Sequence, residues 1–501
     1  MIEPASLAPW LIIIPLAGGL LAFLLPSRSV LIGLSATVAN GLLALAITFY
    51  SINTIPLEYA LGGWPPPAGI LLRIDGLTLV MLTMTAITGL AISIYAQGYF
   101  PARIGSGNGV SRHGPQQDFF WPLWLMLLAG LNGLFLAGDL FNLYVTLEVT
   151  ALAAVALTAL SGKHTSEVAA LRYLLVSLLG SLSYLFGTVL LYRACHVLHL
   201  ATLGALIVSS PVVWSGLALI TVGLLLKTAL FPMHFWLPPA HVNALTPVSA
   251  ILSALVIKAS FYLIFRFWGD VFMRILPLGG YSLLGGLGAA AVLWGGIQAL
   301  RQKRLKMLIA YSTVAQLGYL FIALPIIRHD AGPSSRFALV YLIISHAGAK
   351  AAMFLAAGNV FLHFGHDRIN ELAGVKDALP MTSFALAVAG VSLMGLPPSG
   401  GFIGKWLLLT ASFASGQWWW GIILIAGSLL AVAYIYRVVR HLFTKAPGPS
   451  SGKRQVARTM EASSLFLAVL SLVMGIFAPL VSKLIASDAV SLASLLAGVV
   501  P

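Results

Sequence analysis

Charged residues are scarce in this chain. Only 8% of its 501 residues are Asp, Glu, Lys or Arg, whereas 59% are hydrophobic. A soluble protein carries charge on about a quarter of its residues, so a chain of this composition would expose extensive apolar surface in water. The composition therefore excludes a soluble globular protein and indicates an all-α polytopic membrane protein, because helices satisfy their own backbone hydrogen bonds in lipid.

Cysteine is nearly absent, with Cys195 as the single one. One cysteine excludes an intramolecular disulfide framework and a thiolate metal cluster. The chain also lacks a phosphate-cradling glycine-rich loop after a strand, and its cysteine and histidines show no metal-binding spacing. We therefore expect no cofactor, no bound metal, no catalytic chemistry and no ATP-driven transport in this chain.

Acidic residues are half as frequent as basic ones. The 28 Lys and Arg against 14 Asp and Glu give a formal net charge of +14. In a soluble protein this excess would suggest a nucleic-acid partner. Here the basic residues lie in short loops between apolar segments, as the positive-inside rule predicts for membrane proteins. We therefore expect a lipid bilayer around this chain and no nucleic acid.

Fourteen apolar segments reach the roughly 20 residues that a membrane-spanning helix needs. They begin near Pro9, Val30, Gly76, Phe119, Phe141, Val168, Val212, Pro247, Leu276, Leu305, Arg336, Met381, Trp418 and Ser463. Proline breaks helices, so Pro232 interrupts the seventh span, and Pro397 and Pro398 interrupt the twelfth. Matching interrupted helices are typical of transporter repeats. We therefore predict two inverted five-helix repeats, spans 4–8 and 9–13.

The chain divides at its loops into four segments. An N-terminal three-helix segment covers residues 1–118, and the first half-channel repeat covers 119–270. The second repeat covers 271–443, and a loop with the C-terminal helix covers 444–501. The longest polar stretch, Thr444 to Arg458, has the composition of a linker, so no soluble domain is predicted.

The basic loop residues favour one face of the membrane. Loops after even-numbered spans hold seven of them: Arg73, Arg193, Arg266, Arg274, Arg328, Arg336 and Lys483. Loops after odd-numbered spans hold seventeen: Arg28, Arg103, Arg112, Lys163, Arg172, Arg301, Lys303, Arg304, Lys306, Arg368, Lys376, Arg437, Arg440, Lys445, Lys453, Arg454 and Arg458. The positive-inside rule places the richer face in the cytoplasm. With fourteen spans, both termini then lie outside the cytoplasm, across the cell (inner) membrane.

Five charged residues fall inside predicted spans: Glu148, Lys227, Lys258, Lys350 and Lys405. A charge in the hydrocarbon core is costly, so each is a candidate functional residue. A lysine near a helix end can instead extend to the interface, and ion pairs can simply hold helices together. One acid cannot pair with four lysines, and a buried lysine without a partner can exchange its proton near neutral pH. The set therefore predicts a proton relay through polar side chains and trapped water.

Two histidines, His234 and His346, lie in or beside the spans. Imidazole takes and gives protons at physiological pH, although a lone intramembrane histidine can also be purely structural. His346 lies four residues before Lys350, on the same face of its helix. This spacing favours the relay for that pair.

Several segments resemble a known family, the antiporter-like membrane subunits of respiratory complex I, membrane-bound hydrogenases and Mrp-type cation/proton antiporters. The most specific is KTALFPMHFWLPPAHVNALTPVSAILSALVIK, which runs from Lys227 to Lys258. The segments GDLFNLYVTLEVT, HAGAKAAMF and GLPPSGGFIGKW also look like family segments. The resemblance covers nearly the whole chain and is densest from Asp139 to Trp406. Leu245 departs from it, because relatives usually carry proline before Thr246.

The resemblance implies roles for the intramembrane residues. Glu148 and Lys227 would form the gating ion pair of the first half-channel, and Lys258 would be the bridging lysine. His234 and His346 would lie on the hydrated axis. Lys405 would lie at its far end, in the second broken helix. Lysine at this last position favours a Mrp D-type subunit, or the N- and L-type complex I subunits, over the M-type.

The favoured interpretation is an ion-translocating subunit of a multisubunit Na+/H+ antiporter, with other membrane subunits as partners. One alternative is a proton-pumping subunit of an NADH–quinone oxidoreductase or a membrane hydrogenase. Because this chain has no nicotinamide, flavin or iron–sulfur motif, redox chemistry would then belong to its partners. A second alternative is a small-solute secondary transporter that works alone.

Overall fold

A computed structural model describes residues 4–66, 69–104, 115–329, 333–445, 454–479 and 481–485. Helices account for most of these residues, and twelve of the helices are long and apolar enough to cross a membrane. This confirms the predicted all-α polytopic fold. The predicted Thr444–Arg458 loop lies partly outside the described residues.

The amino-terminal part contains three helices and one hairpin: α1 (Trp10–Leu24), α2 (Ser29–Ser51), β1 (Leu57–Ala60), β2 (Leu71–Ile74) and α3 (Gly76–Ile104). The two strands pair antiparallel, with Leu57 opposite Ile74. The hairpin is not predicted from the sequence, since its strands are only four residues long. Asp75 follows it and accepts a hydrogen bond from the Thr78 backbone N–H at 3.0 Å, so its carboxylate satisfies a free donor at the start of α3.

The first predicted repeat contains α4 (Pro115–Leu136), α5 (Leu140–Ala159), α6 (His164–Cys195), α7 (Leu200–Leu206), α8 (Pro211–Thr228), α9 (Leu237–Asn243), α10 (Thr246–Ile251) and α11 (Ile257–Arg266). The chain leaves α8 at Ala229, which has a φ of 57°, and Pro232 lies in the interruption before α9. A π-helical turn, Leu252–Val256, joins α10 to α11. A second π-helical turn, Phe267–Val271, follows α11.

The second predicted repeat and the C-terminal helix contain α12 (Leu278–Arg301), α13 (Leu305–His329), α14 (Pro333–Phe364), α15 (Val375–Ala378), α16 (Pro380–Met394), α17 (Gly400–Ala414), α18 (Trp418–Leu442) and α19 (Arg458–Val473). Pro397 and Pro398 lie between α16 and α17, which have 15 residues each. Helix α19 has 16 residues. Because these helices are shorter than a full span, the count of fourteen spans and the inverted repeats stay predictions.

The eighth span, Thr246–Val271, and α14 lie at the centre of the protein. Their most apolar stretches are wholly buried among other helices, whereas α1, α2 and α18 leave most of theirs on the outside of the chain. Side chains on the central helices meet other side chains and backbone instead of hydrocarbon tails. They are the places where polar groups find partners inside a membrane.

Glycines let neighbouring helices approach closely in both halves of the chain. A Cβ atom on Gly223 of α8 would lie 2.4 Å from the carbonyl oxygen of Gly180 on α6. Likewise, a Cβ on Gly318 of α13 would lie 2.3 Å from the carbonyl oxygen of Gly288 on α12. Membrane helices commonly associate through such small residues, which bring their backbones into van der Waals contact.

Basic residues cluster at two separate places in the structure. Three that the sequence assigns to the poorer face line one cavity: Arg73, Arg266 and Arg274. Five from the richer face line another: Arg103, Lys163, Arg304, Lys306 and Arg454. The members of each cluster therefore lie close together, and the sidedness of their loops stays a prediction. Lys306 differs from its predicted loop position, because it lies buried in the first turn of α13.

Which of these faces is cytoplasmic can be tested by cysteine labelling. In a Cys195→Ser background, we expect Lys445→Cys to resist an impermeant thiol reagent in intact cells and Lys483→Cys to react with it. Both native side chains are exposed, so a difference in labelling would reflect the side of the membrane and not burial within the protein. The reverse pattern would invert the orientation, and labelling of both cysteines would refute the predicted span count.

Candidate functional site

Lys227 lies in the last turn of α8, directly before the interrupted segment. Its Nζ is 3.9 Å from Oε2 of Glu148 on α5 and donates a hydrogen bond to Oγ of Ser177 on α6 at 2.8 Å. Within the described residues, both carboxylate oxygens of Glu148 are buried without a hydrogen-bond donor. The ion pair can therefore open without breaking a hydrogen bond between its two charges.

Lys258 is fully buried in the first turn of α11. Its Nζ donates hydrogen bonds to the carbonyl oxygens of Ser253 and Ala254, at 2.9 and 2.6 Å. Both carbonyls belong to the π-helical turn Leu252–Val256, a kind of irregularity found frequently at functional sites. The ammonium is thus held by backbone dipoles, and among the described residues no carboxylate pairs with it.

Side chains of α13 connect Lys258 to Lys350. The hydroxyl of Ser253 lies 2.9 Å from that of Thr313, which donates to the carbonyl oxygen of Ile309 at 3.0 Å. Lys350, on α14, donates to the same carbonyl at 3.0 Å and also to the hydroxyl of Ser312. A series of hydrogen-bonded residues therefore links the two lysines, in which the carbonyl oxygens of Ser253 and Ile309 only accept.

His346 lies one turn before Lys350 on α14 and is buried. Neither of its ring nitrogens has a hydrogen-bond partner among the described residues. Its imidazole is within electrostatic range of Lys258, Lys350 and Lys405. Imidazole takes and gives protons at physiological pH, and the relay role of His346 stays a prediction.

Lys405 is the sixth residue of α17, and its ammonium reaches back across the interruption. Its Nζ donates to the carbonyl oxygens of Leu393 and Met394, at 2.8 and 3.3 Å, and lies 4.6 Å from the ring centroid of Tyr319. Lysine side chains point toward the N-terminus of their own helix, and the ammonium here lies at the C-terminal end of α16, whose negative pole stabilises its charge.

Glu461, on α19, holds the opposite end of α16. Its carboxylate accepts hydrogen bonds from the backbone N–H and the hydroxyl of Thr382, at 3.0 and 2.9 Å. A negative charge at the N-terminus of a helix complements the macrodipole. Helix α16 therefore carries an acid at its positive end and Lys405 at its negative end. Glu461 is not among the residues predicted from the sequence, because it lies only in the first turn of its helix.

Other polar residues near the lysines were also missed from the sequence. The signal was present in the segment AYSTVAQLGY of α13, which places polar groups three or four residues apart within an apolar span: Ser312, Thr313, Gln316 and Tyr319. His241, on α9, is fully buried, and its ring stacks on that of Phe354 at 4.8 Å. It lies within electrostatic range of Lys350, Lys306 and Lys258.

His234 lies apart from the central lysines, and its place on a hydrated axis stays a prediction. It lies in the short 3-10 helix Met233–Trp236 and lines a cavity with Phe231, Trp294 and Tyr311. Its neighbour Phe235 is exposed at the edge of the protein. The structure therefore brings Lys258, Lys350, His346 and Lys405 together and leaves His234 outside this group.

The chain matches the family described as NADH:quinone oxidoreductase/Mrp antiporter, TM, over residues 137–431. It is 35% identical to NADH-quinone oxidoreductase subunit N of Desulforudis audaxviator, over 94% of this chain and 96% of the relative. It is 27% identical to the D-type Na(+)/H(+) antiporter subunit of Bacillus subtilis, over 93% and 92%. Its fold resembles a chain of the Mrp complex from Dietzia sp., with a TM-score of 0.88, 24% identity and 98% coverage of both chains.

The Glu148–Lys227 pair yields a test by isosteric substitution. We expect Glu148→Gln to leave the protein assembled but to lower ion translocation about tenfold or more, or ~1.4 kcal/mol in barrier terms, because the charge that attracts Lys227 is lost. Glu167→Gln, at an exposed acid on α6, is the matched control and should translocate normally. Normal translocation by assembled Glu148→Gln would show that the pair is only structural.

Proposed function

Because this chain belongs to the NADH:quinone oxidoreductase/Mrp antiporter family, we propose that it is an ion-translocating subunit of a multisubunit cation/proton antiporter. Na+ is the proposed exchanged cation. One observation carries the proposal: Lys258, Lys350 and Lys405 are buried side chains held by carbonyls and hydroxyls instead of carboxylates. A charged residue inside a membrane is a candidate functional residue, and a lysine without a carboxylate partner can exchange its proton near neutral pH.

Protons would move along this chain by alternating charge. When the Glu148–Lys227 pair opens, Lys227 can pass a proton inward toward Lys258. The hydrogen-bonding groups of α13 and the imidazole of His346 then connect Lys258 and Lys350 to Lys405. Two like charges in a low dielectric repel strongly, so a proton that arrives at one lysine favours release from the next. Lys405 is the proposed last station before the aqueous phase.

A redox-driven complex is the second candidate. It is favoured by the 35% identity to a protein named NADH-quinone oxidoreductase subunit N. In that case the same lysines would carry protons, and the driving force would come from electron transfer in partner subunits. A transporter that works alone receives less support, because the Mrp complex and respiratory complex I that contain the similar folds are multisubunit assemblies.

Purification of the intact complex separates these candidates. We expect co-purified subunits without redox cofactors and, in proteoliposomes, proton flux that responds to an imposed Na+ gradient. Flavin or iron–sulfur absorbance, together with proton flux driven by electron donors, would contradict the antiporter and support the redox complex. Na+-driven flux by the purified single chain would contradict the requirement for partners.

Lys405 provides a test of whether a titrating group is required. We expect Lys405→Ala to remove the carrier and Lys405→Arg to fail as well, each lowering cation-dependent proton flux in everted vesicles about tenfold or more. Arginine keeps the charge, but it does not lose its proton in proteins. Lys445→Arg, at an exposed loop position, is the control for the substitution. If assembled Lys405→Arg transports like the parent, Lys405 is a fixed charge.

A further inference from the structure

Polar residues on one face of α11 lead from Lys258 to the protein surface. Tyr262 and Arg266 follow Lys258 at four-residue intervals, the spacing that stacks side chains along a helix. Asp270 continues the series in the π-helical turn after α11. Tyr262, Arg266 and Asp270 all line a cavity of about 120 Å3 at the face with fewer basic residues. Tyr262 and Arg266 therefore lie along this helix face between Lys258 and the cavity.

Arg266 lies next to this cavity, and all three of its side-chain nitrogens donate hydrogen bonds. Its Nε donates to the hydroxyl of Tyr262 at 3.1 Å, and its Nη2 donates to the carboxylate of Asp75 and, at 3.1 Å, to the hydroxyl of Thr78. Its Nη1 donates to Asp270 at 3.4 Å. A guanidinium held by two carboxylates and two hydroxyls cannot swing away without leaving buried charges unpaired, which is costly.

Neither Asp75 nor Arg266, which form an ion pair, can pass a proton on. Burial alone would raise the pKa of Asp75, but Arg266 and Arg73 hold that pKa well below its usual range, so the carboxylate stays ionised at neutral pH. Arg266 stays protonated at any physiological pH. A proton that reached Tyr262 would therefore meet a permanent cation and no group ready to accept it.

The wider network leaves a positive charge at this place. Arg336 donates to the second oxygen of Asp270 at 3.1 Å, and Nε of Arg73 lies 3.3 Å from Asp75. Three arginines, including Arg266, thus surround two aspartates, with a net charge of +1. Fixed arginines in narrow passages form electrostatic barriers to protons and cations.

We propose that the charge of Arg266, held in place by Asp75, Asp270 and Tyr262, is an electrostatic seal that stops protons on Lys258 from leaving through this cavity. The seal obliges them to continue toward Lys350 and Lys405. This inference rests on the proposed proton path through Lys258. It assigns Arg266 a role in coupling that differs from carrying protons, since an exit route would need a titrating residue at this position.

Two variants that break the same ion pair separate a seal from simple packing. Asp75→Asn removes the acid and keeps the cation, whereas Asp75→Asn/Arg266→Gln removes both and leaves Asp270 paired with Arg336. The intact complex is reconstituted in proteoliposomes, a pH gradient is imposed without Na+, and its passive collapse is followed with a pH-sensitive dye. We expect the single variant to hold the gradient like the parent, and the double variant to lose it at least tenfold faster.

The origin of the leak is tested by adding Lys258→Ala to the double variant. This change should slow the collapse of the pH gradient to the rate of the parent. Asp75→Ser/Arg266→Met, which replaces the pair with smaller or apolar groups, is measured in parallel as a second variant that buries no unpaired charge. A leak of equal size in Asp75→Asn, or one that persists without Lys258, would overturn the seal in favour of a packing role.

Two further results would also contradict the seal. A tight double variant that keeps Na+-driven flux would show that Arg266 blocks nothing. A double variant that holds the pH gradient but loses Na+-driven flux would indicate that Arg266 belongs to an exit route for protons. Because the collapse assay needs no Na+, a parent complex without Na+-driven flux would refute the antiporter function alone, and a Lys258-dependent leak would still support the seal.

Discussion

The cost of holding a charge away from water governs the structure around the central lysines. Lys258 and Lys350 are fully buried, yet each ammonium is solvated by carbonyl or hydroxyl oxygens. These dipoles stabilise a cation without supplying a fixed negative charge. When the proton leaves, no unpaired anion stays behind in the low dielectric. The arrangement that makes the buried cation tolerable therefore also leaves its proton exchangeable.

Helix irregularities supply the oxygens around Lys258 and Lys405, whereas those around Lys350 come from the regular helix α13. In a regular helix each carbonyl already accepts an intrahelical bond, and only the last turn leaves carbonyls unused. The π-helical turn Leu252–Val256 presents its carbonyls to Lys258, and the end of α16 presents Leu393 and Met394 to Lys405. Non-helical backbone is tolerated at membrane depth only where protein or water satisfies it. The irregular backbone thus supplies hydrogen-bond acceptors for the lysines, and the lysines supply donors for its carbonyl groups.

The sequence shows which residues are unusual within their own segment, but it does not show which distant residues pack against them. A lysine or a proline pair inside an apolar stretch is visible at once, so Lys258, Lys405 and the interruption at Pro397 could be predicted. The partners of Lys405 could not, because Tyr319 lies on a helix distant in sequence. His234 and His241 look alike as histidines beside the same break, and only tertiary packing puts one at the edge and the other against Phe354.

The lysines have unequal partners. Lys227 has a carboxylate nearby, so it can keep its proton while its neighbours are charged. Lys405 has carbonyls and an aromatic ring, which stabilise a cation less than a carboxylate does at similar distance. Between them, mutual repulsion prevents Lys258 and Lys350 from both being charged at low cost. Opening the one ion pair would therefore disturb a set of interdependent charges along the proposed path.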